Sequence, residues 1–367
     1  MSIQSIEVYP VTLRYREPFR IAPSTTIESH NIIVKIITDF KVVGIGESSP
    51  SERVTHETPQ TVIETLDKIA PNMVSMCPLR IEQISETMDE LVSENPSAKA
   101  AIDIALHDIL GKAAHKPLFK LIGGFREEIL TDLTLSIKEP KEMAEDAVKA
   151  VKRGFRALKV KVGLNPTEDF ERIRKIREAV GSEIAMRIDA NQGWTVKEAV
   201  AILNKLEPFD IEFVEQPVKA DDIHGLAEIR KASQIPVMAD ESVHTPEDAL
   251  HLINEKAVNM INIKLMKTGG ILKARKIVAI AEAANVPCMI GCMGESTVGI
   301  TGGVHLATAL KNIRYADLDS DILIADKLVL KGGAKLQASK RVPSTAPGLG
   351  ITQLSEKLLG NPLRVFK

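Results

Sequence analysis

The chain is poor in cysteine, in aromatic residues and in long apolar runs, and it carries no surplus of positive charge. Each scarcity removes a class of protein. Three cysteines in 367 residues, Cys77, Cys288 and Cys292, do not make a disulfide framework. Cys288 and Cys292 sit in apolar surroundings and are expected as buried thiols. The eight histidines show no metal-ligand spacing. The first residues lack the basic and apolar regions of an export signal. The most apolar stretch, 283–310, is broken by Pro287, Glu295 and several glycines, so it does not read as a membrane span. A formal net charge of −2 with no basic stripe offers nothing to nucleic acid or to an anionic membrane. A cytoplasmic protein with small-molecule partners is expected.

What is present falls into two zones. Residues 1–128 open with strand-like runs at 30–38 and 42–50. A helical pattern follows over 97–111, with Ser97 as its expected N-cap and Ala98, Ala101, Ile102, Ala105, Leu106 and Ile109 on one apolar face. This zone reads as an α+β domain. From 129 to 339, short apolar strands alternate with capped amphipathic helices. Strands are expected at 131–136, 157–162, 184–189, 211–215, 237–240, 260–264, 287–291 and 315–319. Asn165-Pro166, Thr195 with Glu198, and Thr245-Pro246 are helix starts, and Gly181 is a helix stop. Eight strands with helices between them predict a TIM-type barrel rather than an open sheet. Residues 340–367 follow the last strand and are expected to return to the first domain.

Charged residues at the strand ends point to chemistry, because a barrel's site lies at the C-terminal ends of its strands. Strand two ends in Lys159 and Lys161, two apart and so on one face. Strands three, four and five end in Asp189, Glu215 and Asp240, strand six in Lys264, and strand eight in Asp317 and Asp319. Apolar strands seldom end in charge without a paired or metal-bound partner. Three carboxylates on adjacent strands can hold one hard cation, Mg²⁺ before Zn²⁺, one ion per subunit with Mn²⁺ as a substitute. Strands two and six lie opposite each other in a ring of eight, so Lys161 and Lys264 can take a proton from one face of a carbon and return one to the other. A like charge at Lys159 is expected to lower the Lys161 pKa. The cation would stabilise negative charge built on a substrate carboxylate as the adjacent proton leaves. Asp317 and Asp319, across the pocket, suit an α-ammonium, and two extended residues span about 7 Å. A dipeptide has the right length.

These stretches resemble the muconate-lactonising subgroup of the enolase superfamily: "LKVKVG" at 158–163, "RIDANQGW" at 187–194, "VEQPV" at 214–218, "MADESV" at 238–243, "INIKLMKTGG" at 261–270, "GCMGES" at 291–296 and "DLDSD" at 317–321. Lys or His bases with Mg²⁺ are typical of that superfamily. The resemblance implies a modified TIM barrel, (β/α)₇β, under an N-terminal α+β capping domain that the C-terminal residues rejoin. Within the subgroup the chain looks most like dipeptide epimerases, whose substrate-ammonium motif matches Asp317 and Asp319. The resemblance makes Asp189, Glu215 and Asp240 metal ligands and Lys161 and Lys264 the bases, and it sets Lys159 against the substrate carboxylate. Thr134, Met293, Gly294 and Glu295 are further expected substrate contacts, and a homo-oligomer is expected.

One departure bears on specificity. Members acting on L-Ala-L-Glu carry an arginine in the first capping loop where this chain has Ser24, with Arg20 nearby. Gly294, where a bulkier residue can sit, is expected to widen the pocket. Ser24 and Val54 are not basic, and Glu52, Glu57 and Asp321 add negative charge. A hydrophobic or cationic second residue is therefore expected over Glu. Rival readings are an o-succinylbenzoate synthase, N-acylamino acid racemase or cycloisomerase, whose substrates lack a free ammonium, and a non-catalytic peptide-binding barrel, which would not need two opposed lysines.

Overall fold

The computed structural model describes residues 1–22 and 24–367. Three long antiparallel strands, β1 (Ile3–Ile21), β2 (Ser24–Thr38) and β3 (Val43–Ser48), open the chain. The last strand of the molecule, Arg364–Phe366, adds to the free edge of β1. Ile6, Val8, Ile32, Val34 and Ile36 bury one sheet face against helices α1 (Pro59–Met73), α2 (Ile81–Leu91) and α3 (Pro96–Ala113). The sheet rests directly on the α3 backbone. A Cβ added at Gly46 would stand 1.9 Å from the Ala101 carbonyl oxygen, and one at Gly44 2.2 Å from that of Ala105.

Ser97 is not the cap of α3. The helix begins one residue earlier, at Pro96, after Asn95 in the left-handed conformation at φ 61°. Ser97 instead lies inside the first turn, with its hydroxyl 2.8 Å from that of Ser48. The cap comes from a distance: the buried Glu57 carboxylate accepts the backbone N–H groups of Ser97 (3.0 Å) and Ala98 (3.1 Å). A carboxylate at a helix N-terminus satisfies orphan donors and the helix dipole together.

After a short β4 (Ile129–Leu130), eight parallel strands follow in ring order: β5 (Leu133–Leu135), β6 (Ala157–Lys161), β7 (Ala185–Asp189), β8 (Ile211–Glu215), β9 (Val237–Ala239), β10 (Met260–Lys264), β11 (Cys288–Gly291) and β12 (Ile313–Ala316). Each expected strand overlaps one of these. The first is trimmed to three residues, and the last stops short of Asp317 and Asp319, which lie in the loop beyond it. Pairing of Thr131 with Ala316, and the Leu318 N–H donated to Thr131 Oγ1 at 2.9 Å, close the ring.

The local signals hold at the helix starts. Asn165 accepts from the N–H groups of Thr167 and Glu168, and the helix stops at Gly181 with φ 76°. Thr195 with Glu198, and Thr245 with Asp248, form capping boxes. Alternation along the strands sends every second residue inward. Phe213, Met238, Met260 and Met289 plug the barrel floor with Tyr315, and the Arg187 guanidinium lies over the Phe213 and Tyr315 rings. The end of the chain divides: Lys340–Val342 pairs with β4 beside the barrel, and Arg364–Phe366 joins the cap sheet.

Candidate active site

The floor residues fix the parity of the layer above them. Inward positions of β6 to β10, with Asp240 just past the end of β9, therefore deliver Lys159, Lys161, Asp189, Glu215, Asp240 and Lys264 to one buried cluster at the C-terminal mouth. Its polar groups are densely paired. Lys161 Nζ lies 2.6 Å from Asp189 Oδ2, and Lys264 Nζ lies 2.6 Å from Asp240 Oδ2. Lys159, only 1% exposed, lies 2.7 Å from Asp317, 2.8 Å from Glu215 and 3.0 Å from Asp189.

That placement sets the electrostatics of Lys159. Burial disfavours its charge, but Asp189, Asp317 and Glu215 outweigh burial and hold its pKa well above the ordinary value. Its charge is bound up with these three carboxylates. Asp189 shows the reciprocal balance: burial raises its pKa, and Lys159 and Lys161 bring it below normal. Burial likewise opposes, and Lys264 and Lys267 more than reverse, the shift at Asp240.

Glu215 is the odd member. Burial first, then Asp189, push its pKa to about 8. Asn262 Nδ2 donates to its Oε1 at 2.9 Å, while the buried Oε2 has no hydrogen-bond partner among the described residues. The 2.8 Å approach of Lys159 is a charge contact without hydrogen-bond angles, so we take Oε2 as electrostatically relieved but directionally free. An unspent oxygen in an all-carboxylate set on three neighbouring strands fits a hard divalent cation. The ammonium groups of Lys159, Lys161 and Lys264 stand against these same oxygens. Among the described residues, the group of possible ligands drawn together within 4.8 Å is a different one, Cys292, Asp317 and Asp319. Its mixed thiol and carboxylate character, with Asp317 held by Lys159, suits a hard cation less well.

Several site residues escaped the sequence reading. Lys267 is buried and bonds Asp240 Oδ1 at 2.6 Å and the Asn262 carbonyl at 3.2 Å. Its signal was its place three residues after Lys264, on the short helix Leu265–Thr268. Asn191, left-handed at φ 42°, accepts from Lys161 at 3.0 Å and donates to Glu241 at 3.2 Å.

At the far rim, Thr134 donates its N–H to Asp319 at 2.6 Å, and its hydroxyl lies 3.3 Å from Asp317. Burial, then Asp317, push Asp319 up to about 7, while Lys159 pulls Asp317 below its usual range against burial. Cys292 is half-buried rather than sealed in the core, with its Sγ 3.8 Å from Asp319 Oδ1.

The loop carrying Met293, Gly294 and Glu295 is moulded by the cap. Ser29 Oγ and Asn31 Nδ2 donate to the Gly294 carbonyl at 2.9 and 2.8 Å, and Ser49 Oγ accepts the Gly294 N–H at 3.2 Å. Glu47, fully buried, accepts from the Ser296 and Gly299 N–H groups and from Asn31. Glu295 turns back on its own loop to bond the Met293 N–H, and burial with nearby Glu47 raises it to about 8.

Gly294 does not widen the pocket. A Cβ there would lie 2.6 Å from Ser29 Oγ and 3.0 Å from the Tyr15 hydroxyl, so the vacated space is already filled. Ser24 is half-buried at the tip of the β1–β2 hairpin, and its neighbour Ala22 shares a groove with Gly163, Asn191 and Trp194. Val54 is half-buried in a cleft of about 620 Å³ that Lys99 and Lys267 also line. Arg20 is exposed in an outer groove with Glu17, Glu142 and Glu145. Two of the expected nearby negative charges are spent, Glu57 on α3 and Asp321 on Arg341.

Opposed amines and clustered carboxylates at the mouth of a capped barrel define a proton-transfer enzyme of the (β/α) barrel class. The sequence model of the mandelate racemase/muconate lactonizing enzyme N-terminal domain matches residues 4–123, and that of the enolase C-terminal domain-like family matches 142–357. The chain belongs to the mandelate racemase/muconate lactonizing family of the enolase superfamily. It is 44% identical to the hydrophobic dipeptide epimerase of Enterococcus faecalis, covering 96% of this chain and 100% of that one. Identity is also 44% to the L-Ala-D/L-Glu epimerase of Clostridium acetobutylicum, over 96% and 99%. A crystal structure of dipeptide epimerase from Enterococcus faecalis, complexed with Mg and L-Leu-L-Tyr, superposes with a TM-score of 0.94 over 96% of this chain and 100% of that one, at 44% identity.

Proposed function

We propose that this protein is a dipeptide epimerase, inverting the α-carbon beside the substrate's carboxylate. The observation that carries the reading is one arrangement: Lys161 and Lys264 lie four strands apart in a ring of eight, with three buried carboxylates between them and the Asp317–Asp319 pair at the far rim. Asp189, Glu215 and Asp240 would hold Mg²⁺, which supplies positive charge where the substrate carboxylate gains electron density. One lysine, uncharged, receives the α-proton on its Nζ, and the opposite lysine, as ammonium, delivers a proton to the other face. The pair ends with its protonation states exchanged, so the reverse reaction starts from the product complex. Asp317 and Asp319 receive the free α-ammonium and thereby select dipeptides over N-acylated substrates.

For the second residue, the reading favours a hydrophobic side chain. Arg20 is exposed in a groove with Glu17, Glu142 and Glu145, and Ser24 and Val54 bring no charge. The spent Glu57 and Asp321, with Lys99 and Lys267 beside Val54, also reduce the case for a cationic one. A cytoplasmic homo-oligomer completes the proposal; no described helix is long and apolar enough to cross a membrane.

The test is incubation of the Mg²⁺-loaded protein in D₂O with a library of L,L-dipeptides. We expect deuterium at the α-carbon of the C-terminal residue together with the L,D product. Absence of exchange with every dipeptide, alongside racemisation of N-acylamino acids, would overturn the reading.

A further inference from the structure

Tyr15 was not among the expected site residues, yet its place on β1 brings its hydroxyl beside Gly294. Its neighbours Arg14 and Arg16 are anchored to the segment after the last barrel strand. Arg14 pairs with Asp326 at 2.7 Å, and Arg16 Nε donates to the Ile322 carbonyl at 3.0 Å. Tyr15 itself pairs with Ile324, and alternation turns its ring the opposite way from the two arginines. Its hydroxyl reaches within 3.0 Å of where a Gly294 side chain would begin. The ring stacks on Phe19 at 5.9 Å with an interplanar angle of 16°, forming an aromatic wall. Burial, then Cys292, Glu295 and Asp319, hold the phenol pKa above its ordinary value, so the hydroxyl keeps its proton among these groups.

A retained phenol proton can be donated to one carboxylate while the oxygen lone pairs accept from an ammonium. Asp319 Oδ1 faces the Cys292 thiol at 3.8 Å, a long and weak donor that leaves the oxygen open to a stronger one. We propose that Tyr15 determines specificity at the amino end of the dipeptide: its hydroxyl joins Asp319 in receiving the α-ammonium, and its ring limits the first side chain where position 294 has none. The inference rests on the epimerase reading and adds a named subsite to it.

The test compares wild type, Tyr15→Phe and Tyr15→Ala on L-Ala-L-Leu and L-Leu-L-Leu, with Mg²⁺ present. Tyr15→Phe keeps the stacked ring, so it separates the hydroxyl from packing. It should raise KM for both dipeptides about tenfold, the scale of one hydrogen bond to a charged group, with kcat changed less than threefold. Tyr15→Ala should shift the kcat/KM ratio toward L-Leu-L-Leu by about fivefold or more, the worth of a methylene or two of new space. Unchanged KM in Tyr15→Phe with an unchanged ratio in Tyr15→Ala, both melting cooperatively, would overturn the role of Tyr15 while leaving the epimerase reading standing. Absence of turnover by wild type on either dipeptide and on the wider library would overturn both.

Discussion

Replacing Lys159 with methionine tests whether the buried charge cluster is organised around that one ammonium. The side chain is 1% exposed and its Nζ is shared by Asp317, Glu215 and Asp189 within 3.0 Å. Methionine keeps most of the volume and removes only the charge. Three buried carboxylates then lose a common counter-ion, with Lys161 still on Asp189 and nothing equivalent left on Glu215 or Asp317. Breaking a buried pair by deleting one partner costs about 3–5 kcal/mol. At roughly 2 °C per kcal/mol for a large domain, the melting temperature in chelator should fall by about 6–10 °C. Mg²⁺ opposes the loss. At a hundred times its dissociation constant it contributes about 2.7 kcal/mol, and the variant should bind it more tightly because the Lys159 ammonium no longer competes for Asp189 and Glu215. The assay is thermal melting followed by circular dichroism, with and without Mg²⁺, in both proteins. The variant should show the larger Mg²⁺-dependent rise. If it melts within about 2 °C of wild type in chelator, or gains no more from Mg²⁺ than wild type does, then Lys159 is not the organising charge.

Chelation should abolish turnover and added Mg²⁺ should restore it, with Asp240→Asn needing more Mg²⁺ because one anionic ligand is gone; full activity in chelator sinks the metal assignment. Lys161→Ala and Lys264→Ala should each stop epimerisation, and each should keep α-proton exchange for the one enantiomer served by the surviving lysine; either variant epimerising near the wild-type rate refutes the two-base scheme. N-acetylating the dipeptide removes the charge that Asp317 and Asp319 are proposed to bind, and should lower kcat/KM by about 30-fold to several thousand-fold, from roughly 2–5 kcal/mol for a closed-site ion pair. A direct comparison should place L-Ala-L-Leu at or above L-Ala-L-Glu; a tenfold preference for Glu would mean the capping loop holds a cation that Ser24 does not supply.

The barrel was legible because its information is local. Apolar strands, capping boxes at Thr195 and Thr245, and the Asn165–Gly181 start and stop each sit within a few residues of what they specify. The strand-end charges were legible for the same reason, since a period of two assigns them to one face. What stayed hidden depends on residues distant in the chain. Glu57 caps α3 from 40 residues away, so Ser97 looked like the cap. The pairing of Lys159 with Asp317, 158 residues on, is seen only in the fold. β1 runs on through Arg14, Arg16 and Glu17, a stretch with no apolar alternation, because its partner is a hairpin strand and its anchor is Asp326. Tyr15 was invisible for that reason.

The bonds from Ser29, Asn31, Glu47 and Ser49 to the loop around Gly294 cross between the two parts of the molecule. The amides of Gly294, Ser296 and Gly299 belong to the barrel by sequence but take their acceptors from the cap. Their solvent exchange should therefore follow the opening of the cap sheet rather than that of the barrel strands, and hydrogen–deuterium exchange can place them with one or the other. Evolution or design that alters the cap's inner face will retune this loop without touching a barrel residue. If this loop meets the substrate as proposed, a cap grafted from a relative would carry part of the relative's substrate preference with it, and a chimera that changes only the barrel loops would inherit the wrong scaffold for them.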